Sequence, residues 1–307
     1  IAGLKMMTSP STARSGNMIS ASGMLIAIFI TLLDQGIIDY EWILLGIFIG
    51  SIIGLFASRM VQMTEIPEMV AIFNGFGGIA SLMVAWAALY PELTDLNIRN
   101  GHLVGSSNTM LIAIIVMSIL IGGITFSGSL VAYGKLSEKI PGNVYLIPGQ
   151  RFISSCIVFT LLFVSYRFIF GNATNSNEFI AVIVLALMLG IILVIPIGGA
   201  DMPVVISFLN SCSGLAACSV GFVLNNNLLI VAGSLVGASG LILTKIMCKA
   251  MNRSLKNVLF SSFGAVKLTT KTIQGKVKQL NIEETYLMLE AASSVVIVPG
   301  YGMAVAQ

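Results

Sequence analysis

A chain of 307 residues that is 56% hydrophobic and only 9% charged lacks the polar surface of a soluble domain, in which about 25% of residues are charged. A net charge of +3 with no aromatic-interleaved basic patch argues against a nucleic-acid partner. The four cysteines, far apart in apolar runs, exclude a CxxC pair or a metal-binding spacing. What remains is an integral membrane protein.

The chain opens on "IAGLKMMTSPSTARSGN", a short apolar stub and a polar loop without an initiator methionine or a signal peptide, so both ends read as cuts. Eight runs follow, at 18–34, 42–61, 68–90, 108–133, 152–170, 178–198, 203–224 and 228–250. Each is close to the ~20 residues that cross hydrocarbon. Charged or turn-rich stretches such as "DQGIIDYE", "YPELTDLNIRNGH", "FGNATNSNE" and "NNN" separate them. An even number of spans places both ends on one side. That side collects Lys5, Arg14, Arg59, Lys135, Lys139, Arg151, Lys245, Lys249, Arg253 and Lys256, against Arg99 and Arg167 opposite. Such a bias sets orientation, so the ends face the cytoplasm or the equivalent matrix compartment.

Past residue 253 the character changes. Residues 254–282 read as a polar, basic linker, and residues 283–307 as the start of a second domain. In that segment "IEETYLMLEAASS" predicts a helix, with Glu283 and Glu284 at its positive end. The run "VVIV" then predicts a buried strand, and "PGYG" a turn.

Inside the spans, Gly46, Gly50 and Gly54 share one helix face, as do Gly233 and Gly237 with Gly240 close by; small residues four apart let backbones approach closely. Polar groups at depth include Asn74, Thr125, Ser127, Ser129, Ser207, Asn210, Ser211, Ser213 and Ser239. An unsatisfied amide in hydrocarbon costs several kcal/mol, so Asn74 and Asn210 are expected to face protein or water. They serve either as interhelical hydrogen-bonding glue or as the lining of a proton or ion path. No carboxylate, lysine or histidine sits at mid-span, and the single histidine, His102, falls in a loop. The titratable relay of a pump is therefore not supplied by these helices alone.

In "VVIVPGYGMAVAQ", Gly300 and Gly302 match the first two positions of G-x-G-x-x-G/A, where glycine permits the turn and lets a pyrophosphate approach a helix N-terminus. The third position is Val305. Three readings stay open at this stage: an enzyme with a nucleotide site, a secondary transporter or channel subunit without nucleotide chemistry, and a structural membrane anchor.

Together the stretches "TARSGN", "MTEIPEMVAIFNGFGG", "GGITFSGSLVAYGKL", "GGADMPVVISFLNSCSG", "LLIVAGSLVGASG", "IMCKAMNRS" and "VIVPGYGMAVAQ" resemble the β portion of proton-translocating NAD(P) transhydrogenase. The resemblance covers nearly all of the chain except the 91–107 loop, the fifth and sixth spans and the 257–282 linker.

It implies an all-α polytopic bundle of eight transmembrane helices, where the family has nine and the first is truncated here. At the C-terminus it implies the start of an α/β Rossmann-like domain. It also implies direct hydride transfer from NADH to NADP⁺, coupled to inward proton movement. NAD(H) would sit on an α subunit or fused α portion, and NADP(H) on the domain that begins at the C-terminus. The α-plus-β unit would form a homodimer in a bacterial plasma membrane or a mitochondrial-type inner membrane. No metal and no catalytic side chain are implied.

The family's nucleotide fingerprint falls on Gly300, Tyr301, Gly302, Met303, Ala304 and Val305. Its proton-path asparagine falls on Asn210, beside Ser211, and its coupling helix on Gly233, Gly237, Ser239 and Gly240. Asp201 falls in the loop facing the NADP(H) domain, and Asn74 joins the path candidates. Some members carry an intramembrane histidine where this chain has Leu111, so the titrating carrier lies elsewhere.

Overall fold

Within lipid a backbone must satisfy its own hydrogen bonds, and a helix does so locally. The computed structural model follows that rule in its described residues, which are 2–6, 9–33, 40–98, 109–142, 149–171, 176–252, 254–259 and 281–296. In chain order the helices are α1 (Ala2–Met6), α2 (Pro10–Leu32), α3 (Tyr40–Met60), α4 (Ile66–Ile98), α5 (Thr109–Leu136), α6 (Gln150–Phe170), α7 (Ser176–Val194), α8 (Met202–Val223), α9 (Asn227–Ala250), α10 (Leu255–Leu259) and α11 (Ile282–Ala291). Short 3₁₀ turns, Met63–Glu65 and Gly199–Asp201, lead into α4 and α8. The chain divides into two compact units, Ile1–Gly264 and Ala265–Gln307.

Eight of the described helices, α2 to α9, are long and apolar enough to cross a membrane, as the hydropathy runs predict. Three boundaries differ. The stretch read as a polar loop at 10–17 is the first third of α2, because Pro10 occupies the first turn, where its missing N–H is no loss. α4 continues as a helix past Pro91 to Ile98. At the far end, α10 interrupts the expected linker: Leu255 and Val258, three apart, share a face, and Val258 is buried in the bundle.

α5 is the central helix. It packs against α4, α7 and α8, with a lesser contact to α6, and α6 leans on α7. Two apolar clusters fill the bundle. One joins Leu82 and Leu89 of α4, Ile115 and Ile119 of α5, Phe168 of α6 and Phe179 of α7. The rings of Phe168 and Phe179 lie 5.7 Å apart there. The other, toward the end where α8 begins, gathers Ala71, Val131, Val194, Met202, Val205 and Cys248. α3, in contrast, has no buried residue.

α8 and α9 form a hairpin whose turn is fixed by its asparagines. Asn225 adopts the left-handed conformation at φ 51°, which asparagine tolerates. The N–H of Asn226 then bonds Gly221 O at 2.8 Å and that of Asn225 bonds Phe222 O at 3.3 Å, closing α8 with the double bond pattern of a left-handed cap. The Asn226 side chain starts α9 by accepting from Leu229 N at 3.1 Å.

In the second unit the helix expected after residue 282 is present as α11, with Glu283 and Glu284 in its first turn. The strand expected at 295–298 is not formed at its described part, Val295 and Val296. A strand is defined by ladder bonds to a neighbour, and no second strand exists among the described residues.

Candidate functional site: a polar seam in the bundle

Two hydrogen-bonded strings run through the interior, and α8 belongs to both. On one side Asn74 of α4 is buried. Its amide donates to Ser129 Oγ of α5 at 2.9 Å and its carbonyl accepts from Ser213 Oγ of α8 at 2.6 Å. One side chain thus ties three helices, and both ends of the amide are satisfied, as burial in a low dielectric requires. Asn74 faces protein, as the cost of an unpaired amide predicts. Thr125, one turn before Ser129, is fully buried.

On the other side α8 meets α9. Ser211 Oγ donates to Gly237 O at 2.6 Å, and Thr244 Oγ1 donates to Gly240 O at 2.7 Å while lying 3.0 Å from Ser207 Oγ. The Ser211–Gly237 and Ser207–Thr244 contacts exist because the helices nearly touch. A methyl group added at Gly240 would stop 2.9 Å from Ser211 Cα, and one at Gly221 would stop 2.7 Å from Ile230 N. A methyl group at Gly233 would run into the α8 backbone at Cys218 N, one at Gly237 would meet the Leu215 side chain at 3.2 Å, and the buried stripe of α9 is Gly233, Gly237, Gly240, Thr244 and Cys248. Close approach of this kind exposes carbonyls such as Gly237 O to a neighbour's hydroxyl. α4 and α5 meet similarly at Gly78 and Gly122.

The predicted path residues are therefore only partly brought together. Asn74, Ser211, Gly233, Gly237 and Gly240 lie at these two seams. Asn210 does not: it is exposed on α8, between buried Leu209 and buried Ser211. Ser239 is exposed as well, its hydroxyl turned back to Val236 O at 3.1 Å. Asp201 ends the 3₁₀ turn that opens α8 and is half-buried. Leu111 packs against the first apolar cluster. The fingerprint Gly300, Tyr301, Gly302, Met303, Ala304 and Val305 lies outside the described residues, as do His102 and Arg253.

The sequence reading missed two functional-looking groups. Lys135, counted there among the orienting charges, is buried at the end of α5. Its ammonium donates to Ile195 O and, at 2.6 Å, to Ile197 O. Those carbonyls follow the last turn of α7, which stops at Val194 ahead of Pro196. A cation is favoured at that negative helix end. Gln150 of α6 donates to Ile192 O nearby, at 2.9 Å, and Gly199 N reaches Gly142 O at 2.9 Å. The α7–α8 connection is thus tied to α5 and to the segment after it, and the last turn of α7 to α6. Thr244 was the other omission, and its place on the glycine stripe was the available signal.

The family description that fits such a bundle matches the chain throughout: the model for the NAD(P) transhydrogenase beta subunit covers residues 1–307. The chain belongs to the NAD(P) transhydrogenase beta subunit family. It is 43% identical over 313 residues to the NAD(P) transhydrogenase subunit beta of Rhodospirillum rubrum, and equally to that of R. rubrum strain ATCC 11170. The match takes in 100% of this chain and 66% of the length of those relatives. As a family member with eight candidate spans, it is an integral membrane protein.

Proposed function

We propose that this chain is the membrane part of an enzyme that transfers hydride from NADH to NADP⁺ while protons move inward across the membrane. Membership of the beta-subunit family over the whole chain carries this reading. In the proposed division of labour, residues 1–253 conduct protons, 254–282 link, and 283–307 begin the NADP(H) domain. Gly300, Tyr301, Gly302, Met303, Ala304 and Val305 form the first turn beneath the NADP(H) pyrophosphate, at a helix N-terminus that favours the anion. NAD(H) is held by the α portion, and two α-plus-β units pair. Both ends of the chain face the cytoplasm or matrix, the side favoured by the lysines and arginines.

Hydride passes between two nicotinamides without a protein nucleophile or base, so positioning in a dry site supplies the catalysis. Proton occupancy must then alter that positioning, which requires an element with two states that bind NADP(H) differently. α8 is suited to the task. It holds Asp201 at its start and Asn210 nine residues on, about 13 Å along the axis. Its seam with α9 is too close for the two helices to slide independently, so they act as one lever. Exposed Asn210 faces outward, where the α portion is the natural source of the proton carrier, since Leu111 cannot titrate. Asn74, Ser211, Gly233, Gly237 and Gly240 hold the lever in register, while Ser239, turned outward on α9, is left as a candidate contact to the α portion. The test is Asn210→Leu in the complete enzyme. Proton-coupled transhydrogenation is expected to fall at least tenfold with a changed NADP(H) affinity; wild-type values for both would reduce Asn210 to packing.

A further inference from the structure

A cavity of about 560 Å³ separates α3 from α4 and α5 at the end of the bundle where α3 stops and α4 starts. Its two ends differ in chemistry. Toward the bilayer interior the walls are apolar: Ile53 and Ala57 on α3, Ile72, Phe73 and Phe76 on α4. At the mouth stand Glu65, Glu68, Tyr133 and Lys139. Eight residues of α4 separate Glu68 from Phe76, about 12 Å along the axis, so the charged mouth and greasy floor are a headgroup's depth apart.

The polar groups are only partly used. Lys139 donates to the Tyr133 hydroxyl at 2.7 Å, with its ammonium 4.8 Å from the centre of that ring. Two of its protons remain, and the hydroxyl, having accepted, keeps its own proton to give. The bond to Tyr133, helped by the charge of Glu68, raises the lysine above its usual pKa, so it stays cationic. Lys139 and Tyr133 together can hold a phosphate oxygen. The carboxylate of Glu65 takes one bond, from Gln62 N at 3.1 Å, and Glu68 has no salt-bridge partner among the described residues. Two carboxylates against one ammonium leave the mouth one negative charge in excess.

The floor is unfinished too. Ile53 and Ala57 lie on the same side of α3 as Gly46, Gly50 and Gly54, since 3.6 residues make a turn, and Val61 follows just past its end. A methyl group added to any of those glycines meets nothing within 4 Å. The small-residue face of α3 therefore looks onto a gap.

We infer that the α3–α4 cavity is a binding site for a phospholipid with a primary-amine headgroup. Its phosphate lies on Lys139 and Tyr133, its ammonium between Glu65 and Glu68, and an acyl chain runs down the glycine face of α3. A primary ammonium donates hydrogen bonds to both carboxylates, which a quaternary choline cannot do, and a glycerol headgroup brings no charge for them. The site does not depend on the transhydrogenase reading.

The experiment is native mass spectrometry of the complete, delipidated assembly with palmitoyl-oleoyl phosphatidylethanolamine and phosphatidylcholine added in equal amounts. The wild type is expected to retain the ethanolamine lipid at least fivefold over the choline lipid. Glu65→Gln with Glu68→Gln should reduce that ratio to near one, because the double variant removes the discrimination and leaves the phosphate contact. Lys139→Gln should lower retention of both lipids. A wild-type ratio within twofold of one, or a ratio the double variant leaves unchanged, overturns the assignment. So does a density map of the assembly with a partner helix filling the gap, which also reads the site without any substitution.

Discussion

In α9 a methyl group added at Gly240 would stop 2.9 Å from the Cα of Ser211, whereas one added at Gly46, Gly50 or Gly54 of α3 would meet nothing within 4 Å. The two helices carry small residues at similar spacing and have opposite surroundings. α9 is joined to α8 by the three-residue turn Leu224–Asn226, which folds it directly back on that helix. α3 has no buried residue, and its glycine face meets no neighbour. Glycine spacing thus encodes readiness for close approach, but a short connection does not by itself fill it, since only five residues join α3 to α4; the polar groups that ratify the contact make the difference. Ser211, Ser207 and Thr244 do this for α8 and α9. Nothing comparable is placed opposite α3 among the described residues.

The strongest way to break this comparison is Gly240→Val. Its side chain would have to displace the backbone of α8 at Ser211, and overpacking typically costs about 1–3 kcal/mol, with the upper end expected where backbone must move. The folded assembly should lose most of its yield and melt well below wild type in a detergent thermal-shift assay. Wild-type melting would mean that the α8–α9 seam is looser than the distances indicate.

Lys135→Met tests a join of a different kind, polar rather than close-packed. It removes the ammonium but leaves Ile195 O and Ile197 O buried without it, and hydrogen bonds to a charged donor contribute about 1.5–3 kcal/mol. The same assay should record a loss in that range, with Lys135→Arg recovering part of it. An unchanged Lys135→Met protein would mean that the α7–α8 connection does not depend on the ammonium, with Gly142 holding it at Gly199.

The eight spans were legible because a helix in lipid needs only a long apolar run, and no tertiary contact has to be known for that. The helical start of α2 was not, because Pro10 followed by serines and threonine reads equally as a loop until the first turn is seen. Burial of Lys135 was hidden for a related reason. A lysine near a span end normally reaches for the headgroups, and only the break in α7 at Pro196, on another helix, supplies carbonyls for it. The candidate site divides the same way. Its residues were visible as polar positions in apolar runs, yet the pairing of Asn74 with Ser129 and Ser213 joins positions 55 and 139 residues away, and no local pattern encodes that. Even the outward turn of Asn210 beside inward Ser211 becomes evident only once α9 is known to cover one side of α8.

Asn74→Leu sharpens the polar half of the comparison. It leaves the hydroxyls of Ser129 and Ser213 without their shared partner, but serines on helices can turn back to their own carbonyls, as Ser127 does to Gly123 O at 3.0 Å. Interhelical hydrogen bonds in membranes are worth about 0.6 kcal/mol on average and at most about 1.7. The expected loss is therefore about 1 kcal/mol, smaller than for Lys135→Met, and a loss matching that of Gly240→Val would show Asn74 to be an irreplaceable bridge.

The smallest effect belongs to α3. Gly50→Ala places a methyl group in open space and removes a residue that is about 1 kcal/mol less favourable than alanine inside a helix. Stability of the assembly should be unchanged within about 0.5 kcal/mol or rise slightly, the usual result for substitutions that touch nothing. Gly50→Leu is the more demanding version, since a lipid chain can move around a leucine and a closely packed helix cannot. If Gly50→Leu also leaves the melting temperature alone, the face of α3 meets lipid. A loss approaching that of Gly240→Val would instead place another helix against it, and the contrast between the two glycine faces would then be a property of this chain and not of the assembly.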